Sequence, residues 1–147
     1  MEFQKKIEEI KSGKLSPIYI VQGKEDYLQN WARQVFLESV VAPEDQELNV
    51  ARFNMEEISV QTAIEDAESV PFFGDRRLVM IDKPYFLTGE KEKAKIDHQL
   101  ERLQFYLENP LDSSVVVFFA PYEKLDSRKK IVKQLKKVAV LLDASSL

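Results

Sequence analysis

VVVFF, residues Val115–Phe119, is the most apolar run in the chain. All five residues are β-branched or aromatic, which suits a strand better than a short surface helix. The run shows no polar alternation, so both of its faces must be covered. A strand covered on both faces belongs inside a parallel sheet with helices on either side. That placement requires further strands beside it and amphipathic helices over it.

The rest of the sequence supplies both. Ile18-Tyr19-Ile20-Val21, stopped by Gly23, and Leu78-Val79-Met80-Ile81 are continuous apolar runs of the same kind. Leu48 to Phe53 alternates and reads as a strand nearer an edge, and Val138 to Leu142 reads as a fifth strand. Between the strands, apolar residues recur at helical spacing. Phe3, Ile7 and Ile10 form one stripe, closed by Gly13. Leu28, Ala32, Val35 and Phe36 form a second, with Asp26 as N-cap and Pro43 at the exit. Val60, Ala63, Ile64 and Ala67 form a third, capped by Ser59. Ile96, Leu100, Leu103 and Leu107 mark a long helix ending near Asn109-Pro110, and Ile131, Val132 and Leu135 stripe a basic one. The alternation predicts an α/β fold: three layers, a parallel sheet of about five strands, and right-handed crossovers.

Composition agrees with this class. The chain has 147 residues, the length of a single domain. It is 44% hydrophobic and 31% charged, values of a globular rather than a disordered protein. There is no cysteine, which excludes a disulfide framework and thiolate zinc sites. No apolar run approaches the roughly 18 residues of a membrane span, and Met1–Lys14 lacks the apolar core of a signal peptide. The expected setting is cytoplasmic, without membrane contact. A net charge of −4 opposes general nucleic-acid binding but leaves room for a local basic face. Such a face is available: Lys124 to Lys137 is a basic block, whereas Glu44 to Glu68 is acidic. Each block reads either as a solvated helix face or as a partner contact.

In a parallel α/β sheet the default ligand site lies beyond the carboxyl ends of the strands. The turn after the first strand is Gly23-Lys24-Glu25-Asp26. A phosphate loop needs several glycines and a hydroxyl after its lysine. Here one glycine is present and Glu25 follows Lys24, so the turn repels a phosphate that a helix N-terminus otherwise attracts. Asp82 ends an apolar strand, as the magnesium-positioning acid of nucleotide hydrolases does, but Lys83 follows it. The lone His98, among Lys95, Asp97, Gln99 and Glu101, reads as a surface residue on the polar face of its helix. No nucleophile set stands out, so no catalytic residue, cofactor or metal is expected.

One feature does not fit a plain domain. Between a predicted helix and a predicted strand lies Val70-Pro71-Phe72-Phe73-Gly74-Asp75-Arg76-Arg77. Proline and glycine make this a surface loop. Adjacent side chains on extended backbone point to opposite sides, so both phenylalanines cannot fold back easily. Either they enter the core or one is an exposed anchor of the kind that dominates interfaces.

The order of these features resembles the N-terminal domain of the delta subunit of the bacterial DNA polymerase III clamp loader. The resemblance rests on Leu15-Ser16-Pro17-Ile18-Tyr19-Ile20 leading to Gly23, Arg52-Phe53-Asn54, and Phe72-Phe73-Gly74-Asp75-Arg76-Arg77. It also includes Leu107-Glu108-Asn109-Pro110 and Lys124-Leu125-Asp126-Ser127-Arg128-Lys129-Lys130. It implies the P-loop NTPase or AAA+-like fold without a working phosphate loop, as one domain over residues 1–147, with the family's lid and collar domains absent. It implies a role in DNA replication within the polymerase III holoenzyme: binding the sliding clamp (beta subunit) through a hydrophobic loop and promoting ring opening, without catalysis or cofactor. Further partners would be the gamma/tau and delta prime subunits, through the absent domains, and DNA in the assembled complex. The clamp-binding residues would be Pro71, Phe72, Phe73, Gly74 and Arg76, with Lys133 and Lys136 as candidates to face DNA. Two departures stand out: the first member of the pair is usually aliphatic, and Pro71 replaces a small polar residue. The alternative reading is a divergent nucleotide hydrolase using Lys24 and Asp82.

Overall fold

The computed structural model describes residues 2–71, 74–89 and 96–146. In chain order they form α1 (Glu2–Lys11), β1 (Ile18–Gln22), α2 (Asp26–Val40), α3 (Gln46–Asn49), β2 (Val50–Asn54) and α4 (Val60–Ala67). Then follow β3 (Arg77–Asp82), α5 (Leu100–Glu108), β4 (Ser114–Ala120), α6 (Lys130–Val138) and β5 (Val140–Asp143).

The VVVFF run lies in β4, the middle strand of a five-stranded sheet of order β2-β3-β4-β1-β5. All four strand pairings are parallel. Val116 is flanked by Ile18 on one side and Val79 on the other, so its backbone is paired in both directions. Every residue of β4 is buried. Side chains alternate across the sheet. Val116, Phe118 and Ala120 enter a core shared with α4, α5 and α6. Val115, Val117 and Phe119 enter a second core with α1 and α2. This is the three-layer α/β fold expected from the pattern, and each fully buried apolar side chain contributes about 1.5–3 kcal/mol to it.

Local boundaries differ in several places. Asp26 is the first residue of α2, and Glu25 holds the N-cap position without a side-chain bond. Leu48 and Asn49 are helical, so β2 starts at Val50 and forms an edge of the sheet. Short alternation cannot separate a strand from a single turn of helix, and here Gln46 Nε2 ties that turn to the Leu37 carbonyl at 2.9 Å. The long helix expected from Ile96 begins only at Leu100. Asp97 and Gln99 instead spend backbone groups on Gln61 of α4: its Nε2 donates to the Asp97 carbonyl and its Oε1 accepts the Gln99 N–H. Likewise α6 runs through Val138, and β5 begins at Val140.

Candidate functional site

The carboxyl edge of the sheet, where a nucleotide site would lie, is filled by the chain itself. Gly23 is buried at φ 142°, and a Cβ there would overlap the backbone carbonyl of Ala144. Two of the turn's amides are already committed. Gly23 N–H donates to the Ala120 carbonyl and Glu25 N–H to the Ala144 carbonyl, each at 3.0 Å. Gln29 Nε2 donates to the carbonyls of Val21 and Gly23 at 3.1 and 2.9 Å. Lys24 is exposed beside this closed turn.

Asp82 is equally committed. Its Oδ1 accepts Arg33 Nη2 at 2.7 Å and its Oδ2 accepts Arg52 Nε at 2.5 Å. The Arg33 guanidinium lies 4.0 Å above the Phe119 ring, which adds a cation–π contact. Two guanidinium groups therefore occupy both oxygens that a magnesium ion would need. The three charges join α2, β2 and β3 at one point, an arrangement that sequence spacing did not reveal because the partners are 49 and 30 residues apart. Asp82 lines a cleft of about 290 Å³ with Asp26, Asn30, Arg33, Arg52 and Lys83, and Lys24 is not part of that lining. Among the described residues no three His, Asp or Glu side chains gather to hold a metal.

The loop between α4 and β3 precedes a strand, so it lies at the opposite, amino edge of the sheet. Its two ends are fixed together. Arg77, the first residue of β3, donates from Nη2 to Asp66 Oδ1 at 2.8 Å and from Nε to Asp66 Oδ2 at 3.0 Å. Arg77 Nη1 also donates to the Leu48 carbonyl at 3.1 Å. Arg77 is thus a structural residue rather than a free cation. Beyond this closure Val70 is 81% exposed and Pro71 is half-buried. Phe72 and Phe73, the centre of the expected anchor, lie outside the described residues. Gly74 is exposed, and its role is close approach rather than a left-handed turn. A Cβ there would come within 3.0 Å of Asn49 Nδ2 and 3.2 Å of Asp45 Oδ2. Arg76 lines a polar cleft of about 360 Å³ with Asp45, Gly74, Asp75 and the carboxyl end of α2.

The two lysines expected to face DNA are both exposed and lie one turn apart on α6. Lys133 lines a groove between α5 and α6 with Lys130, Lys137, Gln104, Glu108 and Gln134, whereas Lys136 donates to Ser127 Oγ at 2.9 Å. His98 is not on a helix, nor is it a free surface residue. Its Nδ1 accepts the Val60 N–H at 3.0 Å, and its ring packs against Tyr85 and Phe86. It therefore caps α4, for which Ser59 provides no side-chain cap bond.

No helix of the described residues is long and apolar enough to cross a membrane. A family model described as "DNA polymerase III, delta subunit" matches residues 19–145. The chain is 45% identical over 138 residues to the DNA polymerase III subunit delta of Bacillus subtilis, covering 94% of this chain and 40% of that protein. It superposes on the solved Bacillus subtilis DNA clamp loader delta protein with a TM-score of 0.91 and 44% identity, over 95% of this chain and 41% of the other. A DNA polymerase III gamma subunit-related protein from Thermotoga maritima shares the fold at a TM-score of 0.58 with 13% identity. The chain thus spans about two fifths of the delta proteins it matches.

Proposed function

The chain belongs to the family of DNA polymerase III delta subunits, and on that premise we propose that it binds the sliding clamp through the α4–β3 loop and favours opening of the ring. The reading rests on one observation above all: the ends of this loop are fixed together by Arg77 and Asp66, while Val70, two residues before Phe72, is 81% exposed. A loop with a fixed base loses less entropy on docking than a free one. The domain acts by binding rather than catalysis, with Pro71, Gly74 and Arg76 shaping and flanking the anchor. In the assembled loader, the other subunits engage parts of the protein beyond this domain, and the face of α6 that carries Lys133 and Lys136 faces DNA.

The test is clamp affinity of the wild type against the double variant Phe72→Ala/Phe73→Ala, with folding checked by thermal melting. Burial of each phenylalanine contributes about 1.5–3 kcal/mol, so a loss of at least about a hundredfold is expected. An unchanged affinity in the folded variant ends the proposal. A nucleotide hydrolase built on Lys24 and Asp82 finds no support in the geometry of the carboxyl edge. Calorimetry with ATP and magnesium separates the two readings, since heat that disappears in Lys24→Ala would favour the hydrolase.

A further inference from the structure

We propose that the clamp contact extends past the phenylalanine pair onto Leu48 and Leu111, two exposed apolar residues in the segments that flank the α4–β3 loop. The inference rests on the clamp reading and names more of its surface. β2, β3 and β4 are neighbours and run parallel, so the segments that enter them lie side by side at the amino edge of the sheet. Leu48 is in the turn that enters β2, Val70 in the loop that enters β3 and Leu111 in the turn that enters β4. Among the described residues eight large apolar side chains are exposed, and three of them are Leu48, Val70 and Leu111, at 50%, 81% and 39%. Exposed leucines scattered singly need no explanation. One apolar side chain left open in each of three adjacent entries is a different distribution.

The three segments are also joined. Arg77 donates from Nη1 to the Leu48 carbonyl at 3.1 Å and from its backbone N–H to the Ser113 carbonyl at 2.8 Å. Ser114 Oγ donates to the Ala67 carbonyl at the end of α4. The segments are therefore positioned before a partner arrives, which lowers the entropy lost on docking. Area requires neighbours of this kind. Two phenylalanine side chains bury at most about 500 Å², whereas a specific interface takes about 800 Å² from each partner. A clamp seated on the pair must cover residues beside it, and the exposed apolar ones in the flanking segments are Leu48 and Leu111. Charge opposes the other occupant, a second copy of this chain. The three segments carry Glu44, Asp45, Glu47, Asp75 and Asp112 against Arg76, while Arg77 is engaged with Asp66. Two copies face to face would set these acids against one another.

The experiment measures the affinity of this chain for the sliding clamp by calorimetry, with gel filtration of the chain alone over a concentration series. Leu48→Ala and Leu111→Ala should each weaken binding about threefold or more, and together at least about tenfold. Both side chains are exposed, so the variants should melt as the wild type does. Leu141→Ala is the control. Leu141 is also 50% exposed but lies on β5, at the far edge of the sheet, and its variant should bind as the wild type does. Wild-type affinity in Leu48→Ala/Leu111→Ala, an equal loss in Leu141→Ala, or a wild-type dimer that the two substitutions dissolve would overturn the proposal. Phe72→Ala/Phe73→Ala separates the two readings. Loss of binding there, with wild-type affinity in the double leucine variant, ends this inference alone. Wild-type affinity in the phenylalanine variant ends the clamp reading and this inference with it.

Discussion

Arg77 and Asp66 form a two-point ion pair across the base of the α4–β3 loop, with side-chain exposures of only 12% and 23%. Removing Arg77 leaves a shielded carboxylate and the Leu48 carbonyl without their donor. Charged hydrogen bonds of this sort are worth about 1.5–3 kcal/mol each to the pair that makes them. Arg77→Ala should therefore lower the urea midpoint by the equivalent of about 2–3 kcal/mol with the slope unchanged. Adding Asp66→Asn to that variant should cost less than it does in the wild type, because the partner is already gone. Strictly additive losses would show that the pair is not coupled.

Gly23 makes the second prediction. Its φ of 142° and the backbone of Ala144 both exclude a side chain. Gly23→Ala must either distort the turn or push the segment after β5 away, breaking the Glu25 to Ala144 bond and the 2.7 Å Ala144 to Gln22 bond. Strained backbone of this kind costs about 1–3 kcal/mol, before any loss of packing. Amide exchange at Glu25 and Ala144 should quicken well before exchange in β4. Protection equal to that of the wild type would mean that the turn absorbs the methyl group.

The balance of what could be read in advance follows the range of each interaction. The layers and the central strand were legible because runs such as Val115–Phe119 carry their burial in their own composition. The departure of the Gly23–Asp26 turn from a phosphate loop was legible too, since Glu25 follows Lys24 directly. What replaced it was not. Arg33 and Arg52 are ordinary charged residues until the fold sets them on Asp82, and Ala144 gives no local sign that it fills the turn at Gly23. The neighbours of Arg77 give no sign of its role, because its partner Asp66 lies 11 residues earlier. The α4–β3 loop stood out because two phenylalanines between proline and glycine have no cheap local explanation. The partner proposed for it came from resemblance, not from spacing.

His98 shows how a residue can look inert and still hold an element in place. Its Nδ1 accepts the Val60 N–H, so the ring hydrogen sits on Nε2, which faces the Met55 carbonyl and the Tyr85 hydroxyl, each at 2.9 Å. A helix cap is worth about 0.5–2 kcal/mol. His98→Ala should destabilise the protein by at least about 1 kcal/mol and speed exchange of the Val60 amide more than that of Ala67. A surface histidine would stay within about 0.5 kcal/mol of the wild type and change neither amide. Because α4 leads directly into the loop, this variant should also weaken clamp binding less than loss of the phenylalanines does.

Alkaline pH tests the amino edge. Burial pushes the Tyr19 hydroxyl above its ordinary value of 10.0, against a smaller opposing effect of the hydrogen bond from Ser16. Burial does the same to Tyr106. Both protons are held more tightly in the folded chain than in the unfolded one. Their stabilisation is therefore fully present below pH 10.0, the unfolded value, and is lost as pH rises through the folded values. Denaturation midpoints should stay level as pH approaches 10.0 and fall beyond it. Tyr19→Phe should make that fall shallower. At neutral pH the same variant should lose about 1 kcal/mol, because the Ser16 N–H, now 2.8 Å from the Tyr19 hydroxyl, loses its acceptor. A variant with the wild-type alkaline slope would show that Tyr19 does not carry the effect, leaving Tyr106 as its source.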